Sequence, residues 1–522
     1  MKQVEPYRYV ETNFFQRRLL NNRKSSHFSE SGFLPLSCWP PNPFRYRISR
    51  MDHDQSSRFS FSRRSFLKAA GASAAAAIVP EMAFAEGKTF PAGIKWGAAS
   101  AAAQVESRAG RGRSNWDVFA DISGRIRDGS SNVTNTQFET LYAEELNLLS
   151  KAGLNAFRFS FHWSRIQPEG PGAPSIAALD MYDRMVDEML RLGLDPMVTI
   201  VNFENPLWAG DFRNRDIIQY AADYTEIITR KFGDRIKLWI AMNEPGTVST
   251  FGYGSGRFAP GYISLRAMGD AIHHQNVAQG HIISTARANL PKDAKVGTTL
   301  NLQTVRSKSN FPEDEKIVRT MDAYWNTAYL DPLFGQEYPQ EVRALVAPVI
   351  RPGDMEIIAA KPDFLGVNYY SRFFVKAEPH TPLGFVQDTP PDNLKLTKYL
   401  PYEPDGFSET LLRVHNGYGA PDIYVTEFGF PVDEPNTAVN GVVEDTTRIE
   451  FIKGYVEEAY KAMQKGVNLK GLVYWSSTDN WEWNEGFAKN FGLIKVDPKT
   501  QKRWPKRSLE YLGKCSKTNS IV

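Results

Sequence analysis

From about Glu86 onward the chain alternates between two kinds of hydrophobic pattern. Short runs rich in β-branched and aromatic residues predict strands at Ile94–Ser100, Ala156–Trp163, Pro196–Phe203 and Lys237–Asn243. Four more follow at Lys295–Leu302, Phe364–Tyr370, Ile423–Thr426 and Gly471–Ser476. Between them the apolar residues take helical spacing. In Phe138–Ala152 the residues Phe138, Leu141, Leu146 and Leu149 mark one face. Leu179–Leu192 predicts another helix, closed by Gly193 where a C-cap glycine is expected. Strands alternating with helices predict parallel βα units. Eight such units, with no Pro/Gly/Ser-rich linker between them, predict an α/β fold: a single (β/α)8 TIM barrel over residues 86–522, with long loops at the C-terminal face of the strands. An open doubly wound sheet would need a glycine-rich phosphate turn after its first strand. Gly97-Ala98-Ala99-Ser100 does not supply one, and the glycine-rich Gly252–Gly256 does not lie between a strand and a helix.

Two predicted strand ends carry carboxylates. The apolar run Lys237–Met242 closes in Asn243-Glu244-Pro245, and Ile423–Thr426 closes in Glu427-Phe428-Gly429. A buried carboxylate is costly unless it is paired, hydrogen-bonded or used. In a parallel barrel all strand C-termini open on one face, so Glu244 and Glu427 are expected in one mouth. Either glutamate alone is as well explained by a structural ion pair with an arginine; both at matching positions point to paired-carboxylate catalysis. Glycosidic bond cleavage uses such a pair, one carboxyl protonated and the other ionised.

Composition narrows the rest. A formal net charge of +3 over 522 residues, without a Lys/Arg-rich face, excludes nucleic acid as the expected partner. Trp475, Trp481 and Trp483 crowd together, as core residues or as a surface on which sugar rings stack. The eight histidines form no HExxH motif, and His273, His274 and His281 fall on a predicted helix in packing roles, so no metal and no cofactor are expected. At the N-terminal side, Ser62-Arg63-Arg64-Ser65-Phe66-Leu67-Lys68, an apolar run from Ala69 to Val79 and Ala83-Phe84-Ala85 read in order as a twin-arginine export signal over 51–85. Delivery by the twin-arginine machinery to the periplasm or beyond follows from that reading. Residues 1–50 are polar and basic without periodicity and read as a non-native or disordered extension, with Met51 as the expected start. The exported chain then holds one cysteine, Cys515, and no internal disulfide.

Over nearly the whole exported chain the sequence resembles the family 1 glycoside hydrolases. Lys95–Ser100 through Gln104 resembles the family's opening strand; Phe157-Arg158-Phe159-Ser160 with Trp163–Ile166 resembles its second. Asn243-Glu244-Pro245 is similar to the acid/base motif, Asp363–Tyr370 to strand six, and Thr426-Glu427 falls at the nucleophile position. Trp475-Ser476, Asp479–Trp483 and Phe491-Gly492-Leu493 resemble the strand-eight sugar-binding segment. The resemblance implies a retaining β-glycosidase of the β-glucosidase or β-galactosidase kind, acting on a neutral β-linked glycoside or oligosaccharide. It implies that Glu427 attacks the anomeric carbon and that Glu244 is acid, then base. Asn243 would bond the sugar 2-hydroxyl, and Arg158 with Tyr370, in preference to Tyr369, would orient Glu427. Gln104, Glu482 and Trp483 would grip distal hydroxyls, with Trp475 as a stacking floor. A carboxylate at Glu482 would repel a sugar phosphate.

Two positions depart from the family pattern. Asn202 and Phe203 stand where the family has a His-Trp pair, and Phe428 follows the nucleophile where the family has asparagine. Asn202 is expected to contact the sugar with a shorter reach, which changes specificity before mechanism. Two other readings use the same residues: a transglycosidase passing the intermediate to an acceptor hydroxyl, and a non-catalytic sugar-binding barrel. The stretches Ile263–His273 and Pro379–Asp405 are expected as loop insertions at the mouth.

Overall fold

In the computed structural model, which describes residues 88–397, 400–435 and 437–522, eight parallel strands close on themselves. They are β1 (Lys95–Ala99), β2 (Ala156–Ser160), β3 (Asp195–Val201), β4 (Leu238–Asn243), β5 (Lys295–Asn301), β6 (Leu365–Asn368), β7 (Ile423–Phe428) and β8 (Leu469–Trp475). They run around the barrel in chain order, and β8 returns to β1 with Lys95 opposite Gly471 and Ala99 opposite Trp475. Every residue of β2, β4, β6 and β7 is buried. Strands covered on both faces read as continuous apolar runs rather than alternations, which is why they were legible. The expected signal at 51–85 and the extension at 1–50 lie outside the described residues.

The helix at Phe138–Ala152 has the predicted bounds, and its C-cap Gly153 takes φ 111°. The next begins earlier than its apolar pattern, at Ile176, because the Ser175 hydroxyl accepts from the Ala178 N–H and starts the helix there. Gly193 has φ 73°, as a helix-closing glycine requires.

Several boundaries differ from the sequence reading. β2 stops at Ser160, and Trp163–Ile166 forms a single helical turn, with Trp163 stacked 5.0 Å from Tyr224. β6 ends at Asn368, short of both tyrosines, while β7 runs on through Glu427 to Phe428. Most of Ile263–His273 is no loop: Ser264 caps a helix that continues from Leu265 to Asn289. Pro379–Asp405 does reach the mouth, with a short strand at Phe385–Gln387.

Where β7 and β8 converge, a Cβ on Gly429 would lie 1.8 Å from the Trp475 carbonyl oxygen, so only glycine fits beside the second glutamate. Below the mouth an ionic cluster joins the segments that follow these strands. Lys506 Nζ lies 2.7 Å from Glu434 and 2.8 Å from Asp479, and Arg448 Nη2 lies 2.8 Å from Glu434. Asp479 also accepts the Gly492 N–H at 2.9 Å, which closes the loop carrying Glu482 and Trp483.

Candidate active site

The strand ends converge on a cavity open to solvent. At its centre Glu244, the residue after β4, takes a left-handed backbone (φ 47°, ψ 56°), and Pro245 then starts a short helix. That conformation costs a non-glycine residue roughly 1–2 kcal/mol and persists only where its surroundings hold it. Here the Glu244 N–H is held by the Thr299 carbonyl at 2.9 Å. The turn aims the carboxyl into the cavity, where Oε1 accepts from Asn368 Nδ2 at 2.6 Å. Oε2 accepts from the Thr247 hydroxyl at 2.8 Å and from Asn301 Nδ2 at 3.2 Å. Burial, followed by the charge of Glu427, lifts Glu244 to about 7 against the pull of these three donors.

Glu427 sits in a different environment. Arg158 Nη1 pairs with its Oε1, and the Tyr370 hydroxyl donates to its Oε2. Tyr370 remains a proton donor because burial, reinforced by Glu427, pushes its phenol well above 10. Tyr369 turns outward instead and stacks 5.2 Å from Phe407. The two carboxyls are joined by a chain of amides. Asn243 Oδ1 accepts from Arg158 Nη2 at 2.7 Å and from Asn368 Nδ2 at 3.2 Å, and Asn368 reaches on to Glu244.

Gln104, Trp475, Glu482 and Trp483 line the opposite wall. Gln104 Nε2 donates to Asn480, to the Trp481 carbonyl and to Glu482 at 3.0–3.2 Å, while its Oε1 is buried without a partner. Burial, and then the charge of Glu427, raises Glu482 to about 8, whereas Trp475 and Gln104 pull it down. A carboxyl raised this far can donate as well as accept, which weakens the expected charge repulsion of a sugar phosphate. What disfavours a phosphate there is the cost of burying a dianion beside Glu427.

Asn202 lines the cavity as expected of a sugar contact. Its Oδ1 accepts from the Phe203 N–H at 2.9 Å and from Asn243 Nδ2 at 3.1 Å, so its Nδ2 is the group left to meet a hydroxyl. The Asn202 oxygen fixes which way the Asn243 amide faces. Phe203 packs 4.9 Å from Trp483 and keeps an aromatic wall where the family pattern has tryptophan. Phe428 points away from the cavity into the layer of Phe407 and Tyr474, so its departure from the family pattern does not reach the site.

Sequence reading assigned no role to Asn301, Asn368 or Thr247. A usable signal existed for two of them: Asn301 and Asn368 are the last residues of β5 and β6 and so open on the face that holds Glu244.

The family model described as glycosyl hydrolase family 1 matches residues 86–521. The model for the twin-arginine translocation signal matches residues 60–80. β-Glucosidase A of Thermotoga maritima is 34% identical over 446 residues, spanning 83% of this chain and 99% of that protein. The 1,4-β-D-glucan glucohydrolase of Thermotoga neapolitana is 33% identical over 447 residues, spanning 83% and 100%. The solved structure of the family 1 β-glucosidase from Thermotoga maritima superposes with a TM-score of 0.79 at 33% identity, covering 83% of this chain and all of the other.

Proposed function

The chain belongs to glycosyl hydrolase family 1, and from that premise we propose how its residues divide the work of a retaining β-glycosidase acting on neutral β-D-glucosides. Glu427 Oε attacks the anomeric carbon as the bond to the leaving oxygen breaks, and Glu244 passes its proton to that oxygen. Glu244, now a carboxylate, takes a proton from water, whose oxygen attacks the same carbon and releases Glu427. Arg158 and Tyr370 orient the nucleophile, and Asn243 keeps one Nδ2 hydrogen for the sugar 2-hydroxyl. Gln104, Glu482 and Trp483 bind the distal hydroxyls over Trp475.

The observation that carries this reading is the asymmetry of the two carboxyls: one is lifted to about 7 by burial and the other is ion-paired to Arg158. A binding-only barrel has no need of that division. The names of the relatives, β-glucosidase and glucan glucohydrolase, support glucose as the sugar. The twin-arginine signal leads to the export machinery, and residues 86–522 then work as the mature enzyme in the periplasm or outside the cell.

The test is to incubate the protein with a 2-deoxy-2-fluoro-β-glucosyl fluoride and map the adduct. A glucosyl mass on Glu427, with the β-anomer formed first in ordinary turnover, is the expected result. No adduct together with an α-anomer product would overturn the assignment. Turnover with a simple alcohol added separates hydrolysis from transfer to an acceptor.

A further inference from the structure

Beyond Glu244 and Thr247 the cavity is lined by the aromatic rings of Phe251, Phe258, Trp325 and Phe373, and we read this part as the leaving-group side. Trp325, whose carbonyl lies 2.7 Å from where a Cβ on Gly246 would stand, packs against Phe251 at 5.2 Å and Phe373 at 5.3 Å. Phe258 continues this wall toward Phe203 and Trp116. A wall of this kind offers a flat aglycone a surface to stack on.

One cation is laid into this wall. The Arg257 guanidinium lies 5.0 Å from the Phe251 ring centre and 6.0 Å from that of Phe258. Its Nε is buried without a hydrogen-bond partner, and its Nη2 reaches only Glu485, at 3.5 Å. Glu485 lies closer to Arg127, at 3.1 Å. Apart from the two raised carboxyls Glu244 and Glu482, the other ionisable groups lining the cavity are ion-paired. Arg372 is held by Glu403, Asp405 and Glu409, Asp388 faces Lys308 and Lys376, and Glu427 is paired with Arg158. Arg257 is therefore a guanidinium fixed against rings, about one-third exposed, with donors left over.

We propose that Arg257 makes the leaving-group subsite selective for aromatic aglycones carrying a carboxylate. The ring of such an aglycone stacks on this wall and its carboxylate meets the end of the guanidinium, taking one N–H from each Nη as a bidentate pair. The inference rests on the β-glucosidase reading above and adds the class of leaving group.

The test compares kcat/KM for 4-carboxyphenyl β-D-glucoside and its methyl ester in the purified protein, Arg257→Met and Arg257→Lys. Comparing the acid-to-ester ratio between proteins cancels the different leaving-group strengths. A charge pair on a one-third-exposed guanidinium predicts that Arg257→Met lowers the ratio about three- to fivefold and that Arg257→Lys restores part of it. In the unaltered protein the ratio falls as salt rises from about 0.02 M to about 0.5 M, a readout that needs no variant to fold. An equal loss on both substrates in Arg257→Met, or a ratio insensitive to both salt and substitution, overturns the inference alone. No release from either substrate by the unaltered protein overturns the β-glucosidase reading and this inference with it.

Discussion

Thr247→Val changes one atom of the proton donor's surroundings and should move the pH profile in a known direction. The Thr247 hydroxyl donates to Glu244 Oε2 at 2.8 Å, and valine keeps the shape while removing the donor. A hydrogen bond to a carboxylate favours its charged form, so removing it must raise the pKa above the present value of about 7. Hydrogen bonds to charged groups contribute about 1.5–3 kcal/mol net, and one pKa unit corresponds to about 1.4 kcal/mol. Asn368 and Asn301 still serve the carboxyl, so the lower end applies and the shift is about one unit. The assay is kcat/KM against pH on cellobiose, a poor leaving group that needs the acid. Its basic limb reports Glu244 in the free enzyme. Activity is present while Glu244 is protonated and is lost as pH rises through its pKa. At pH 8 the protonated fraction climbs from about one-eleventh to about one-half, so relative activity at that pH rises roughly fivefold. A basic limb that stays in place, or moves down, would refute the assignment of Glu244 as the titrating acid.

Four further outcomes are expected. Glu244→Ala should lower kcat/KM about 10²–10⁴-fold on alkyl glucosides but far less on dinitrophenyl glucoside, whose leaving group needs no proton; parallel losses on a leaving-group series would count against the role. Asn202→Ala should cut kcat about tenfold with a smaller change in KM, because it frees the Asn243 amide, which serves the transition state. Glu204 is raised to about 8 by burial, so its neutral form contributes stability that is full below about 4.5 and lost as pH rises to about 8; Glu204→Gln should therefore unfold at higher denaturant than the unaltered protein at pH 8, by about 4 kcal/mol, with the two curves meeting near pH 4. Lys506→Met leaves Glu434 and Asp479 short of a buried partner and should cost about 3–5 kcal/mol in urea unfolding, with KM rising as the Glu482 loop loosens.

Buried strands announce themselves by composition, and for that reason the barrel, its eight strands and the two carboxylate-bearing strand ends were legible along the chain. Helix ends were readable where a local signal exists, as at Gly153 and Gly193, and misread where a serine rather than the apolar pattern sets the start, as at Ile176. The strand-end asparagines Asn301 and Asn368 were in view but carried no pattern of their own, since asparagine at a strand end is equally a turn residue.

What the sequence alone determined was which residue types reach the mouth of the barrel. What only the tertiary structure decided was their protonation and their partners. Glu244 and Glu427 are the same residue type at matching strand ends, yet Arg158, 269 positions from Glu427, pairs with one of them and not the other. Asn202 was legible as a cavity residue, but only the fold shows its oxygen held against Asn243. Phe428 looked like a change at the nucleophile until its ring was found facing away. Burial and through-space charge set a carboxyl's proton affinity, and both are sums over neighbours contributed by other strands. A linear pattern names the group, and the closed barrel gives it its chemistry.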